Sequence, residues 1–517
     1  MKGVHFKMKR TKSIFAVALA LVLVLATGLV AFAAGGSYSI TIKNEAPGHT
    51  YEAYQIFAGD LFVKEDGTKV LSNIVWGNGI TDAGKSALGD AADVAKTITN
   101  EADAKAFAKR VAPYLQTPDL SNEQAAGKYV ISGLEAGYYL VKDSDNTLAN
   151  TDDFKTAYIM KVVGNVEATP KGDKPSLDKQ VKNGGEWNVV GDGQIGDTVE
   201  FRIITTVPDT KEYTKYDYII HDTMSDGLTS NVKSAADVTI KVNDRDVLGT
   251  DYYTVDATGN TFSITVNILK AVEDGKIKAG DVLYTYYTGV INDRAKVYDV
   301  DSENNTAYLV YCNNPNNNVE TGETTKKKVY EWTYKMTVNK VDGENKPLTG
   351  AKFVLSRNGK IKVEDLRCDE NGVPTVTADL IGLVKIDGGY RVAADGDANI
   401  VYAIDAGKAV INGLDAGVTY YLYETKTPEG YNSLKAPVKF VINAEYTDDG
   451  ATVKNVSATV DGTAADGLQA DIVNNAGSEL PSTGGIGTTI FYIVGAILVV
   501  AAGVLLITKK RMSKAAD

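Results

Sequence analysis

Met336-Thr337-Val338-Asn339-Lys340 alternates apolar and polar side chains, and the strand period of two sets Lys340 on the face of Met336 and Val338. That face should point inward. Tyr420-Tyr421-Leu422-Tyr423-Glu424 repeats the pattern and sets Glu424 beside Tyr420 and Leu422. A lone lysine or carboxylate inside an apolar sheet is costly, so burial favours its neutral form. A neutral amine is a nucleophile, and a protonated carboxyl can donate to a carbonyl oxygen. Asn474, on the last strand-like segment of the same region, offers the electrophile. Attack of Lys340 on its side-chain carbonyl, with Glu424 as acid and base, would expel ammonia and leave an amide cross-link. Asn475 is the alternative acceptor, and a plain buried Lys-Glu ion pair is the competing reading.

The same trio recurs upstream. Leu177, Lys179 and Val181 share one face, Ile220 and Asp222 another, and Asn313 ends a strand containing Leu309 and Tyr311. The expectation is a Lys179 to Asn313 bond with Asp222 as acid, and Asn314 as the second choice. Nearer the N-terminus, Tyr38, Ile40 and Ile42 alternate with Ser39, Thr41 and Lys43. Ala104, Phe107, Val111, Tyr114 and Leu115 recur at helical spacing behind a cap at Asn100, with Pro113 limiting the helix. Strands return at Tyr129-Val130-Ile131 and Tyr138-Tyr139-Leu140-Val141. Gly133-Leu134-Glu135-Ala136-Gly137 is echoed by Gly413-Leu414-Asp415-Ala416-Gly417, each leading into a Tyr-Tyr-Leu strand. Where the later copy has Glu424 the earlier has Lys142, so no cross-link is expected in the first domain, whose Lys43 and Lys142 read as solvent-facing.

The chain therefore reads as mostly β, a tandem of immunoglobulin-like β-sandwiches with some helix in the first. The boundaries are 1–34 leader, 35–173 N-terminal domain, 174–328 middle domain, 329–478 C-terminal domain and 479–517 tail. The leader carries Lys2, Lys7, Lys9, Arg10 and Lys12 before an apolar run ending at Ala31-Phe32-Ala33, the pattern of a secretory signal peptide. The tail opens with Leu480-Pro481-Ser482-Thr483-Gly484. A mostly apolar run to Ile507 follows, roughly 20 residues and long enough to span a bilayer, and Lys509, Lys510, Arg511 and Lys514 close it on the cytoplasmic side.

A net charge of -12, with no basic stripe in the sequence, argues against a nucleic-acid surface. Two cysteines, Cys312 and Cys368, fall in different domains, so a disulfide framework does not stiffen this exported chain. Only three histidines occur, one in the leader, which argues against a histidine-based metal site or hydrolase triad, and no cofactor is expected. Gly79-Ile80-Thr81-Asp82-Ala83-Gly84-Lys85-Ser86 fits the phosphate-loop pattern, but its internal Asp82 opposes phosphate and the site would be extracellular, so it reads as a turn entering a surface helix.

Three sets of residues resemble a known family. The pentapeptide, apolar span and basic tail are similar to the sorting signal of Gram-positive wall proteins. Lys340-Val341-Asp342, Leu348 to Phe353, Tyr421 to Thr425 and Pro428-Glu429-Gly430-Tyr431 resemble the collagen-adhesin B-type domain. His221-Asp222-Thr223-Met224 and Tyr311-Cys312-Asn313-Asn314-Pro315 resemble the middle domain of sortase-assembled backbone pilins. The resemblance implies spontaneous Lys-Asn isopeptide bonds and a structural rather than enzymatic role. It further implies sortase cleavage between Thr483 and Gly484, with transfer to a lysine of the next subunit. Val166-Glu167-Ala168-Thr169-Pro170-Lys171 stands where such pilins carry the acceptor lysine, which points to Lys171, with Lys174 next; Ala168 and Thr169 depart from the family pattern. The implied partners are a class C pilus sortase, a housekeeping sortase, identical subunits, minor pilins, peptidoglycan and a host ligand. The alternative is a wall-anchored monomeric adhesin or minor pilin.

Overall fold

The computed structural model describes residues 37–66, 68–125, 127–145, 152–162, 165–298, 300–477 and 486–513. The leader and the Leu480–Gly484 pentapeptide lie outside the described residues. Each of the three domains is built from two sheets.

In the first domain the Tyr38–Lys43 strand pairs antiparallel with Lys128–Leu134 and parallel with Val166–Ala168. A second sheet centres on Tyr51–Val63, flanked by Lys69–Trp76 and Gly137–Asp143. Ile40 and Ile42 are fully buried, as their alternation requires. Helix Glu101–Val111 starts where Asn100 accepts the Asp103 amide, and it gives way to a single 3-10 turn at Ala112–Tyr114 because Pro113 supplies no amide hydrogen. The residues of the phosphate-loop pattern form a short helix, Asp82–Leu88, capped by Thr81.

The middle domain places Leu177–Asn183, Thr198–Thr206 and Val282–Ile291 side by side in one sheet. Tyr218–Met224 and Glu303–Cys312 are neighbours in the facing sheet. Lys327–Trp332 pairs with Glu303–Cys312 and, in parallel, with Val190–Asp192. The expected boundary at 328 is therefore too early: this strand closes the middle sandwich, and the third domain begins with Tyr334–Asp342.

The third domain repeats the first. Tyr334–Asp342 pairs antiparallel with Lys408–Leu414 and parallel with Gln469–Asn474. Both echo segments turn on a glycine with positive φ, Gly133 at 81° and Gly413 at 83°, a conformation that a Cβ disfavours. Both set a buried leucine against the tyrosine that opens the domain, Leu134 with Tyr38 and Leu414 with Tyr334, next to a register shift. The chain ends in helix Ile486–Ser513, whose segment Thr489–Arg511 is long and apolar enough to cross a membrane.

Candidate functional site

Among the buried polar groups of the described residues, two clusters join a lysine, an acid and an asparagine. In the third domain Lys340 is completely buried, and its ammonium donates to the carbonyls of Val341 at 3.0 Å and Ile472 at 2.9 Å. Asn474 is buried on the adjacent parallel strand; Lys340 is opposite Ile472, and Asn474 is opposite Asp342. Two residues of stagger therefore set both side chains on the same inner face. Burial pulls the Lys340 pKa below the ordinary lysine range, against the pull of Glu424.

Glu424 comes from the opposite sheet and is half-buried rather than enclosed with Tyr420 and Leu422. The Asn474 Nδ2 donates to both its carboxylate oxygens, at 2.9 and 3.2 Å, and to the Asn432 carbonyl at 2.8 Å. The Leu434 amide and the Thr427 hydroxyl also donate to Glu424. Sequence reading pairs Glu424 with the carbonyl oxygen of Asn474. Its observed contact is with the nitrogen that would leave, while Asn474 Oδ1 is buried without a hydrogen-bond partner. Asn475, the alternative acceptor, is exposed and abuts Gly343 instead.

In the middle domain Lys179 is buried on Leu177–Asn183 and donates to Asp222 and to the Tyr287 hydroxyl in two very short contacts. Tyr287 in turn donates to Asp222 Oδ2 at 2.6 Å. Burial drives the Lys179 pKa down and the Asp222 pKa up, more than each group's attraction for the other offsets. Both shifts favour the neutral amine and the neutral acid.

The expected acceptor is not at this cluster. Asp222 is opposite Ala307 in the register, and Asn313 lies six residues further along, past the end of the strand at Cys312. At about 3.3 Å per residue that is about 20 Å away. Asn313 instead faces the first domain, where its backbone carbonyl accepts the Lys155 amide at 2.7 Å, and the Asn314 side chain caps a turn by accepting the Asn316 amide. The asparagine at the cluster is Asn305, fully buried, whose Nδ2 donates to Tyr287 Oη at 3.2 Å. Its Oδ1 and Asp222 Oδ1 are both buried without partners. The signal was present in Glu303-Asn304-Asn305-Thr306-Ala307: Asn305 shares the inward parity of Ala307, Leu309 and Tyr311.

Among its described residues the first domain has no such trio. Its parallel pair Ile42 with Ala168 corresponds to Val338 with Ala470. Two and four residues on, Asn44 stands for Lys340 and Gly172 for Asn474. Lys43 is exposed and pairs with Glu167, but Lys142 is not solvent-facing: it is largely covered and pairs with Glu52 at 3.0 Å. Lys171 follows the last strand of this domain. Its amide donates to Thr156 and its carbonyl accepts from Ala157, while its ammonium, 3.1 Å from Glu101, is two-fifths exposed. Lys174 is similarly exposed and donates to the Asp152 carbonyl.

These features define a chain of β-sandwiches ending in a wall anchor. Residues 334–457 match the SpaA prealbumin-like fold domain, and residues 472–514 match the LPXTG cell wall anchor motif. The protein is thus an exported, cell-wall-anchored surface protein with a terminal apolar helix suited to transient membrane anchoring. The chain is similar to the trypsin-resistant surface T6 protein of Streptococcus pyogenes serotype M6, at 24% identity over 66% of this chain and 70% of the relative. It is also similar to the type 1 fimbrial subunit of Actinomyces viscosus, at 38% identity over 18% of this chain and 15% of the relative. Among solved structures, the T6 backbone pilin has a TM-score of 0.49 at 17% identity, covering 86% of this chain and 99% of that one. The full-length major pilin SpaD of Corynebacterium diphtheriae has a TM-score of 0.47 at 19% identity, covering 86% and 98%.

Proposed function

We propose that this protein is the shaft subunit of a covalently polymerised surface pilus, stiffened internally by two isopeptide bonds. The single observation that carries the reading is the pair of Lys-acid-Asn clusters, Lys179-Asp222-Asn305 and Lys340-Glu424-Asn474, in successive domains above a wall anchor. In each, a lysine with a depressed pKa faces an asparagine amide that already touches the acid or its hydrogen-bonded tyrosine. Attack of the amine on Cγ, loss of ammonia and formation of the amide need no cofactor.

Polymerisation uses the other chemistry. A pilus sortase cleaves between Thr483 and Gly484 and passes the threonyl acyl group to Lys171 of the next subunit; a housekeeping sortase attaches the finished fibre, with any minor pilins, to peptidoglycan. Pro170 holds the backbone extended before Lys171, and Glu101 is its only ion-pair partner among the described residues, an exposed contact of small energetic weight. Denaturing gels of wall extracts should show a high-molecular-weight ladder that Lys171→Ala abolishes. A ladder that survives Lys171→Ala and disappears in Lys174→Ala would move the acceptor, and a single band in the wild type would leave a wall-anchored monomer.

A further inference from the structure

We propose that Tyr287 is the proton relay of the middle-domain cross-linking reaction, carrying a proton from Asp222 to the Asn305 side-chain nitrogen as that nitrogen leaves. The proposal rests on the reading above that Lys179 and Asn305 become joined.

The geometry is specific. The Tyr287 hydroxyl touches three reacting groups at once: it accepts from Lys179, accepts from Asn305 Nδ2 at 3.2 Å and donates to Asp222 Oδ2 at 2.6 Å. The partners arrive from two sheets. Lys179 and Tyr287 belong to one, Asp222 and Asn305 to the other, so the hydroxyl bridges the interior of the sandwich. All four side chains are buried, which leaves bulk water no part in moving protons between them. The tyrosine ring is fixed by stacking on Phe201 at 5.6 Å and by an edge contact with Phe262 at 5.0 Å. In the third domain Glu424 holds the leaving nitrogen of Asn474 through both carboxylate oxygens, and among the described residues no tyrosine hydroxyl is a hydrogen-bond partner of that nitrogen.

The steps balance. Lys179 first gives a proton to Asp222, leaving an amine and a carboxylic acid. The amine lone pair attacks Asn305 Cγ, forming the new C–N bond and placing negative charge on Oδ1. Tyr287 then passes its proton to Nδ2 and takes the proton of Asp222. The C–Nδ2 bond breaks, ammonia departs, and the carbonyl re-forms. The new amide nitrogen returns its surplus proton to Asp222, which ends neutral beside the cross-link.

The test follows ammonia loss by intact mass after a pulse of cell-free synthesis of the full chain, with proteolytic peptides assigning each loss to its domain. Tyr287→Phe keeps the ring contacts and removes the hydroxyl. It should slow the middle-domain loss by about 10²-fold or more, the usual weight of a positioned general acid, while the third-domain loss proceeds at its wild-type rate. A fluorinated tyrosine at position 287 preserves fold and hydrogen bonds and changes only hydroxyl acidity, so it should alter the middle-domain rate alone. Wild-type rates in both variants would overturn the relay and leave the cross-link standing. A wild-type chain that loses ammonia only from the third domain would overturn the middle-domain reading itself, and the relay with it.

Discussion

Lys179 and Asn305 face each other from opposite sheets of the middle sandwich, and the Tyr287 hydroxyl touches both. A bond between them would tie the two sheets together, whereas a bond between Lys340 and Asn474 would tie neighbouring strands of a single sheet. The two proposed bonds would therefore oppose different motions: separation of the sheets in one domain, and parting of the first and last strands in the other.

The first prediction concerns the identity of the acceptor. Intact mass of the recombinant body should fall short of the sequence mass by two ammonia molecules. Asn305→Ala should restore one of them, Asn474→Ala the other, and Asn313→Ala neither. By the loop-entropy argument developed for disulfides, removing a link that closes a loop of this size lowers stability by about 4–5 kcal/mol. Asn305→Ala should accordingly melt well below wild type. Full loss of two ammonias in Asn305→Ala would return the assignment to the far end of the strand.

How much of this could be read from the sequence depends on how local each cause is. The alternation at Met336–Lys340 and Leu177–Val181 is a property of one strand, and it locates both lysines correctly inside. Choosing between Asn305 and Asn313 requires the register of Tyr218–Met224 against Glu303–Cys312, a pairing set by contacts far apart in the chain. Glu424 shows a different limit. Parity predicts enclosure, but the pairing partner strand shifts register between Lys352 and Phe353, and the carboxylate lies half-buried where Leu434, Thr427 and Asn474 reach it. Tyr287 carried no motif: it is one tyrosine among 29, and only the crossing of two sheets gives its hydroxyl a role.

The second prediction is a pH dependence in the first domain. His49 is buried between Asp143 at 2.7 Å and Asp153 at 3.0 Å. Burial disfavours its charge, but the two carboxylates outweigh that and raise its pKa to about 9. A histidine whose pKa rises from about 6.5 in the unfolded chain stabilises fully below about 6.5 and loses that contribution as pH climbs through about 9. At about 1.4 kcal/mol per unit the contribution is at most about 3 kcal/mol. Lacking a Lys-acid-Asn cluster among its described residues, this domain should melt first, with a midpoint that falls between pH 7 and 10. His49→Gln should lower the midpoint at pH 6 and flatten its fall; an unchanged slope would assign the pH dependence elsewhere.

The third prediction concerns extension. Lys155, buried at the joint between the first two domains, donates to Glu320 at 2.8 Å, and the Tyr311 hydroxyl of the middle domain donates to the Asp153 carbonyl. Removing one member of a covered ion pair strands the other. Lys155→Met should therefore loosen the joint while leaving both ammonia losses intact. Small-angle scattering should show a broader distribution of lengths for the variant, and identical profiles would mean that the remaining backbone contacts, such as Lys155 to Asn313, hold the joint alone.

The last prediction runs in the same pH direction for the opposite reason. Where the middle and third domains meet, Glu331 is buried with both carboxylate oxygens unpartnered, and Asp192, Asp197 and Asp415 surround it. Burial, then repulsion from those aspartates, drives the Glu331 pKa well above the carboxylate range. Burial, together with the hydrogen bond shared with Asp192, raises Asp415 to about 8. An acid whose folded pKa exceeds its unfolded value near 4 binds more protons in the native state, so stability declines as pH rises from about 4 to about 8. Arg357, 3.1 Å from Asp197 and 3.7 Å from Asp415, offsets only part of that charge. Glu331→Gln keeps the shape and removes one ionisation. It should raise the melting temperature of the middle and third domains at pH 8 and change it little at pH 5, as read by calorimetry. A variant less stable than wild type at pH 8 would mean that the ionised carboxylate, not the neutral acid, is what the fold requires at this position.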